Sequence, residues 1–159
     1  MNKFPGWFTN NVFAVIAAVI IVIFVGTWLA VLIPFWQYSV DPAAPAPVPA
    51  PVLGSGLVLA AGLLATTLGT QTASSLGFAV AEVRHETRGT FTAQAVAKRL
   101  SGATYAAIFA YLVVGLAVFL TWLVKQTVAP EVLTAFALSL LGWLIGAAGV
   151  IFKPLSDEG

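Results

Sequence analysis

Residues 12–36 read VFAVIAAVIIVIFVGTWLAVLIPFW, an unbroken apolar run without one charged side chain. A helix needs about 20 such residues to cross a hydrocarbon core about 30 Å thick. Three further runs share the property: Leu53–Ala81, Ala103–Val124 and Val132–Phe152. All of the chain's 7 Lys and Arg and 6 Asp and Glu fall outside the four runs. In lipid a backbone must satisfy its hydrogen bonds within its own segment, so each run is predicted to be a helix. The expected fold is all-α: an integral membrane protein with four transmembrane helices, organised as a single domain over residues 1–159.

Composition agrees. Charged residues make up 8% of the chain, against about 25% in soluble domains, and the mean hydropathy is +0.98. The longest polar stretch, residues 82–102, falls short of the roughly 50 residues that an independent domain needs. With no cysteine in the chain, disulfides, thiolate metal sites and cysteine nucleophiles are excluded. The first run resembles a signal sequence in following Lys3. Its stretch Val12–Ile33 is longer than the roughly 7–15 residues of a secretory apolar segment, so a retained span is expected.

The few charges carry a topology. Lys3, Arg84, Arg88, Lys98, Arg99 and Lys153 flank alternate ends of the runs, and only Lys125 falls on the other side. By the positive-inside rule both termini and the 82–102 loop face the cytoplasm of a cell inner membrane. The 37–52 connection and the short turn after Lys125 then face outward.

Residues 1–11 are expected to form an interfacial lead-in, with Asn10 or Asn11 capping the first helix and Pro34 ending it. The outer connection carries Pro42, Pro45, Pro47, Pro49 and Pro51, a spacing that favours extended polyproline II and so a spacer. Glu82–Arg88 is expected to continue the second helix into water until Gly89 stops it. A short basic helix within Phe91–Leu100 follows. It places Lys98 and Arg99, with Arg84 and Arg88 nearby, at the membrane surface.

The second run is the unusual one. Between Leu57–Leu68 and Leu76–Ala81 it turns polar, reading GTQTASS over residues 69–75. At 100° per residue, Thr67, Thr70, Gln71, Ser74 and Ser75 share one sector. Gly62, Gly69, Ala73 and Gly77 form an adjacent stripe of small residues. Gly142, Gly146 and Gly149 do the same in the fourth run, with GxxxG spacing at 142 and 146. Small stripes let helix backbones approach closely in lipid, and hydroxyl and amide groups bond across such seams. The polar sector reads either as a helix-packing seam or as the lining of a water-filled path in an oligomer.

No catalytic constellation emerges. Glu82 and His85 make one ExxH, whereas di-iron bundles need two plus further carboxylates, and His85 is the only histidine. A contact sensitive to pH at His85 fits its titration near neutrality. No metal site, catalytic residue or cofactor is predicted. The absence of ionisable residues at membrane depth argues against proton-coupled transport and carboxylate-lined cation channels. Four basic residues on one loop are too few for a nucleic-acid surface.

Two classes of function fit. One is a non-enzymatic structural or accessory subunit of a larger respiratory, photosynthetic or transport complex, with the lipid bilayer and other membrane subunits as partners. Its apolar faces suit bound lipid, and leave pigment binding open. The other is a self-associating pore. In size and general architecture the chain resembles some multi-span phage holins, which implies assembly with itself and permeabilisation of the inner membrane. No motif carries that resemblance, and the C-terminus Ser156-Asp157-Glu158-Gly159 lacks a basic tail.

Overall fold

A computed structural model describes residues 6–38, 49–87, 93–125 and 129–152. It is all-helical over those residues: α1 (Gly6–Gln37), α2 (Ser55–Thr87), α3 (Ala93–Arg99), α4 (Gly102–Val124) and α5 (Glu131–Phe152). Four of the five, all but α3, are long and apolar enough to cross a membrane. Most of the proline-rich connection, Arg88, and the charged ends at Lys3 and Lys153 lie outside the described residues.

Two expected boundaries differ. α1 starts at Gly6, so Asn10 and Asn11 lie inside it and do not cap it. It also runs through Pro34 to Gln37. A proline lacks one N–H and disturbs one carbonyl a turn earlier. Pro34 cannot donate to the Ala30 carbonyl, but only one turn follows it, and the Tyr38 N–H closes that turn onto the Pro34 carbonyl at 3.0 Å. The other ends follow local chemistry. Ser101 caps α4 by accepting from the Thr104 N–H at 3.1 Å. Pro130 precedes α5, where its missing N–H costs nothing, and Glu131 sits in the positive first turn.

The long helices form a square. α1 packs on α2 and α4, α5 packs on the same two, and α2 meets α4 across the short diagonal. α1 and α5 face each other across the long diagonal, which aromatic rings fill. Trp28 of α1 lies 4.5 Å from Phe136 of α5 between ring centroids, and Tyr111 of α4 lies 5.4 Å from the same ring. Trp28, Phe24 and Phe35 are fully buried, as are Leu133 and Val118. Such packing holds helices by dispersion and shape. The interior is therefore a filled core.

One end of the square is clamped by polar contacts. The Lys125 ammonium donates to the Tyr38 carbonyl at 2.7 Å. The Trp36 indole N–H donates to the Thr121 hydroxyl at 2.9 Å, and that hydroxyl in turn donates to the Ala117 carbonyl at 2.7 Å. At the other end α3 lies against the end of α2, with Val96 buried beside Ala79, Val80 and Val83.

Candidate functional site

The site is the outward face of α2. The exposed large side chains of α1 and α4 are aliphatic or aromatic, such as Val15, Val19, Ile23, Phe109, Leu116 and Leu120. α2 differs. Its core side is made of Ala61, Ala65, Leu68, Thr72 and Ala79. Its outward side carries Thr66, Thr67, Thr70, Gln71 and Ser74, all exposed, with Ser75 at the margin. Mean hydropathy falls accordingly, from 3.0 in the first apolar helix to 1.3 in the second. The polar sector thus forms one belt pointing away from the core.

Sequence decides this orientation through side-chain size. Ala61 and Ala65 are buried on the core side of α2, and Gly69 comes up against Tyr111 of α4. A Cβ on Gly69 would stand 2.8 Å from the Tyr111 hydroxyl oxygen and 3.1 Å from the ring carbon bearing it. Once that side is committed to the core, the period of 3.6 turns residues 66, 67, 70, 71 and 74 outward.

Three hydroxyls of α2 are satisfied by their own helix. Thr66 donates to the Gly62 carbonyl at 2.9 Å and Thr70 to the Thr66 carbonyl at 2.8 Å. Buried Thr72 donates to the carbonyls of Leu68 and Gly69. The Gln71 amide has two N–H donors and one carbonyl, yet no hydrogen bond reaches it among the described residues.

A groove flanks the belt on each side. Between α2 and α5 two adjoining cavities of about 310 and 330 Å³ share Ala73 and Trp143. Gly77, Gly142 and Gly146 line the first, while Thr66, Thr70, Ser74, Ser139 and Tyr111 line the second. Where α1, α2 and α4 meet, cavities of about 320 and 190 Å³ share Ala17, Leu68, Gln71 and Ala107. Thr67 lines the first of these and Ser75 the second. The predicted sector is therefore split: Thr70 and Ser74 border one groove, Thr67, Gln71 and Ser75 the other.

The small residues part company as well. Gly69 is closed by Tyr111, while Gly62, Gly77, Gly142 and Gly146 have nothing within 4 Å of where a Cβ would stand. Ala73 is exposed at the groove, and Gly149 lies near the end of α5. Gly115 is the second close approach, with Leu140 of α5 2.7 Å from its would-be Cβ.

Of the surface cations, Arg99 pairs with Glu82 at 3.1 Å, and Lys98 is exposed beside it in the last turn of α3. Arg84 lies on the final turns of α2. Glu82 thus turns to Arg99, and His85 is exposed on the same stretch of helix.

Tyr111 and Trp143 are not among the site residues that the sequence suggests, though both shape the α2–α5 groove. The available signal was a hydroxyl in the middle of an apolar run, which needs a partner when buried. Here Tyr111 and Ser139 line the same cavity. The indole N–H groups of Trp28 and Trp143 are buried with no partner among the described residues.

Comparison with family models, with curated proteins and with solved structures finds no match.

Proposed function

We propose that this chain is a non-enzymatic, multi-pass protein of the cell inner membrane that acts as a structural or accessory subunit of a larger membrane complex. Its work is helix–helix packing, and its assembly surface is the outward face of α2. One observation carries this reading: an uncharged polar belt at mid-span of α2, on a molecule whose other outward helix faces are dominated by apolar side chains. An amide facing hydrocarbon without a partner costs several kcal/mol by about the scale of water-to-alkane transfer. A neighbouring helix that supplies acceptors and donors removes that cost, whereas lipid tails do not.

The topology in this reading is N-in and C-in, with the α2–α3 end cytoplasmic. Lys125, the one cation on the outer side, is held by the Tyr38 carbonyl. A lysine near a helix C-terminus also favours the negative end of the helix dipole. That local role accounts for the exception to the charge rule. The two grooves suit lipid acyl chains wherever a protein neighbour does not fill them.

Mild extraction of the tagged full chain from its native membrane tests the assembly reading. Larger membrane proteins should co-purify at fixed stoichiometry, and Gln71→Leu should weaken that association. A chain that extracts with no companion of any kind overturns it. Tags at positions 45 and 92 should label from opposite sides of the membrane.

The polar belt also favours a second reading, a holin-like oligomer. The core of one copy is filled by rings, so any water path would run between copies along the α2 belts. Dye leakage on expression, abolished by Gln71→Leu with Ser74→Leu while insertion persists, would support it. Intact membranes at high expression would count against it.

A further inference from the structure

We infer that the partner seated on α2 is a second copy of this chain, related by a twofold axis parallel to the helices. The inference rests on the reading of α2 as the assembly face and names its occupant; larger companions then join the pair, and Gln71 acts on them through it. Three observations point to self-pairing.

The first is depth. The candidate span of α2 runs over Ser55–Val83, so Gln71 lies about 3 Å along the axis from its middle, at 1.5 Å per residue. A partner must bring polar groups to that same depth. A second copy inserted in the same direction does so automatically, because symmetry places its belt at the height of the first. Any other helix needs an independent match of register.

The second is complementarity. A twofold interface uses one patch twice, so each residue on it must be able to serve its own kind. The belt meets that condition. It carries no formal charge, so two copies approach without repulsion. Gln71 offers both donors and an acceptor. Thr67 and Thr70 hydroxyl oxygens keep acceptor capacity even where their protons point to their own helix, as Thr70's does. In a parallel pair each Gln71 amide meets the partner's hydroxyl belt, or the partner's amide, and the bonds form twice.

The third is shape. Thr66, Thr67, Thr70, Gln71 and Ser74 form a ridge between two grooves. A ridge beside a groove between helices is a surface that can fit its own copy. One copy's ridge enters the other's groove, and the twofold repeats the fit.

The native chain has no cysteine, so single substitutions report contacts without background. Full-length Thr70→Cys and Ser74→Cys, oxidised in native membranes, should each give a disulfide-linked dimer as the main product. A disulfide needs Cα atoms within roughly 7 Å, so this outcome places α2 against α2. Phe109→Cys and Leu116→Cys, on the outward face of α4 across the square, should remain monomeric. Gln71→Leu in the Ser74→Cys background should lower the dimer association constant by roughly tenfold or more, on the scale of two interhelical bonds. Gln71→Asn should restore part of it.

Equal cross-linking from α2 and α4 reports collision and overturns the proposal. So does an extracted, unoxidised chain whose mass in mild detergent is three or more copies, which means a ring and no twofold pair. If the α2 cysteines stay monomeric while larger companions co-purify and depend on Gln71, the second-copy proposal fails and the subunit reading stands. If neither appears, both fail.

Discussion

The Tyr111 hydroxyl occupies the space into which a side chain at Gly69 would grow, 2.8 Å from the position of its Cβ. Tyr111 has no easy retreat. It is 1% exposed, and Phe24, Phe136 and Trp143 surround its ring at centroid distances of 6.2, 5.4 and 5.9 Å. Gly69→Ala should therefore destabilise the bundle by about 1–3 kcal/mol, the cost of overpacking a filled core. Tyr111→Phe removes the nearest atom, so the double variant should recover part of that loss. Unfolding of the four proteins in detergent, read as a double-mutant cycle, gives the coupling. Coupling near zero would mean that the two residues do not meet.

Gly115 extends the argument to the α4–α5 contact. Its would-be Cβ stands 2.7 and 3.0 Å from the two methyl groups of Leu140, a side chain 2% exposed. Leucine tips move more readily than a tyrosine ring in a ring cluster, so Gly115→Ala should cost less than Gly69→Ala, about 1 kcal/mol. Gly142→Ala and Gly146→Ala should be neutral or slightly stabilising for the isolated chain, because nothing lies within 4 Å of either position and alanine is the better helix former. The same melting series ranks all four. A large loss at Gly146 would show that the α2–α5 groove is closed in the folded protein.

These glycines show what sequence could and could not convey. Exclusion of charge from four runs was legible because a charged side chain inside hydrocarbon is costly, and the four long helices lie where those runs are. The polar sector of α2 was legible because the helical period is fixed. Its direction was not, since a small residue at 69 and a small residue at 142 look alike in one dimension. Tyr111 separates them: a ring from α4 reaches Gly69, while no described side chain comes within 4 Å of a Cβ at Gly142. Pro34 misled for a local reason. A proline removes one i→i−4 bond, and here α1 absorbs that loss and adds one more turn, closed by the Tyr38 N–H on the Pro34 carbonyl.

The clamp at the Lys125 end should hold the last turns of α1. The Lys125–Tyr38 bond is charge-assisted and half-buried, and Trp36–Thr121 is neutral. Lys125→Met should cost about 1–2 kcal/mol and Thr121→Val about 1 kcal/mol or less. Because both contacts anchor one element, the loss should appear as local opening. Amide exchange over residues 30–38 should speed by several-fold while α5 keeps its protection. Uniform acceleration across all helices would argue that the clamp acts on the whole bundle.

At the opposite end, two of the contacts that hold α3 are unlike, and magnitudes rank them. The Arg99–Glu82 pair has side chains 41% and 53% exposed, so it should contribute less than about 1 kcal/mol and weaken with salt. Val96 is 6% exposed among Ala79, Val80 and Val83. Burying a valine side chain is worth about 1.5–3 kcal/mol where water is the alternative, and a carboxylate in its place adds a desolvation cost. Glu82→Gln should therefore change amide exchange over residues 93–99 by less than about fivefold, a difference that vanishes in high salt. Val96→Asp should abolish protection there while α4, capped by its own Ser101, stays intact. If Glu82→Gln frees α3 and Val96→Asp does not, the ion pair governs docking and the apolar contact is incidental.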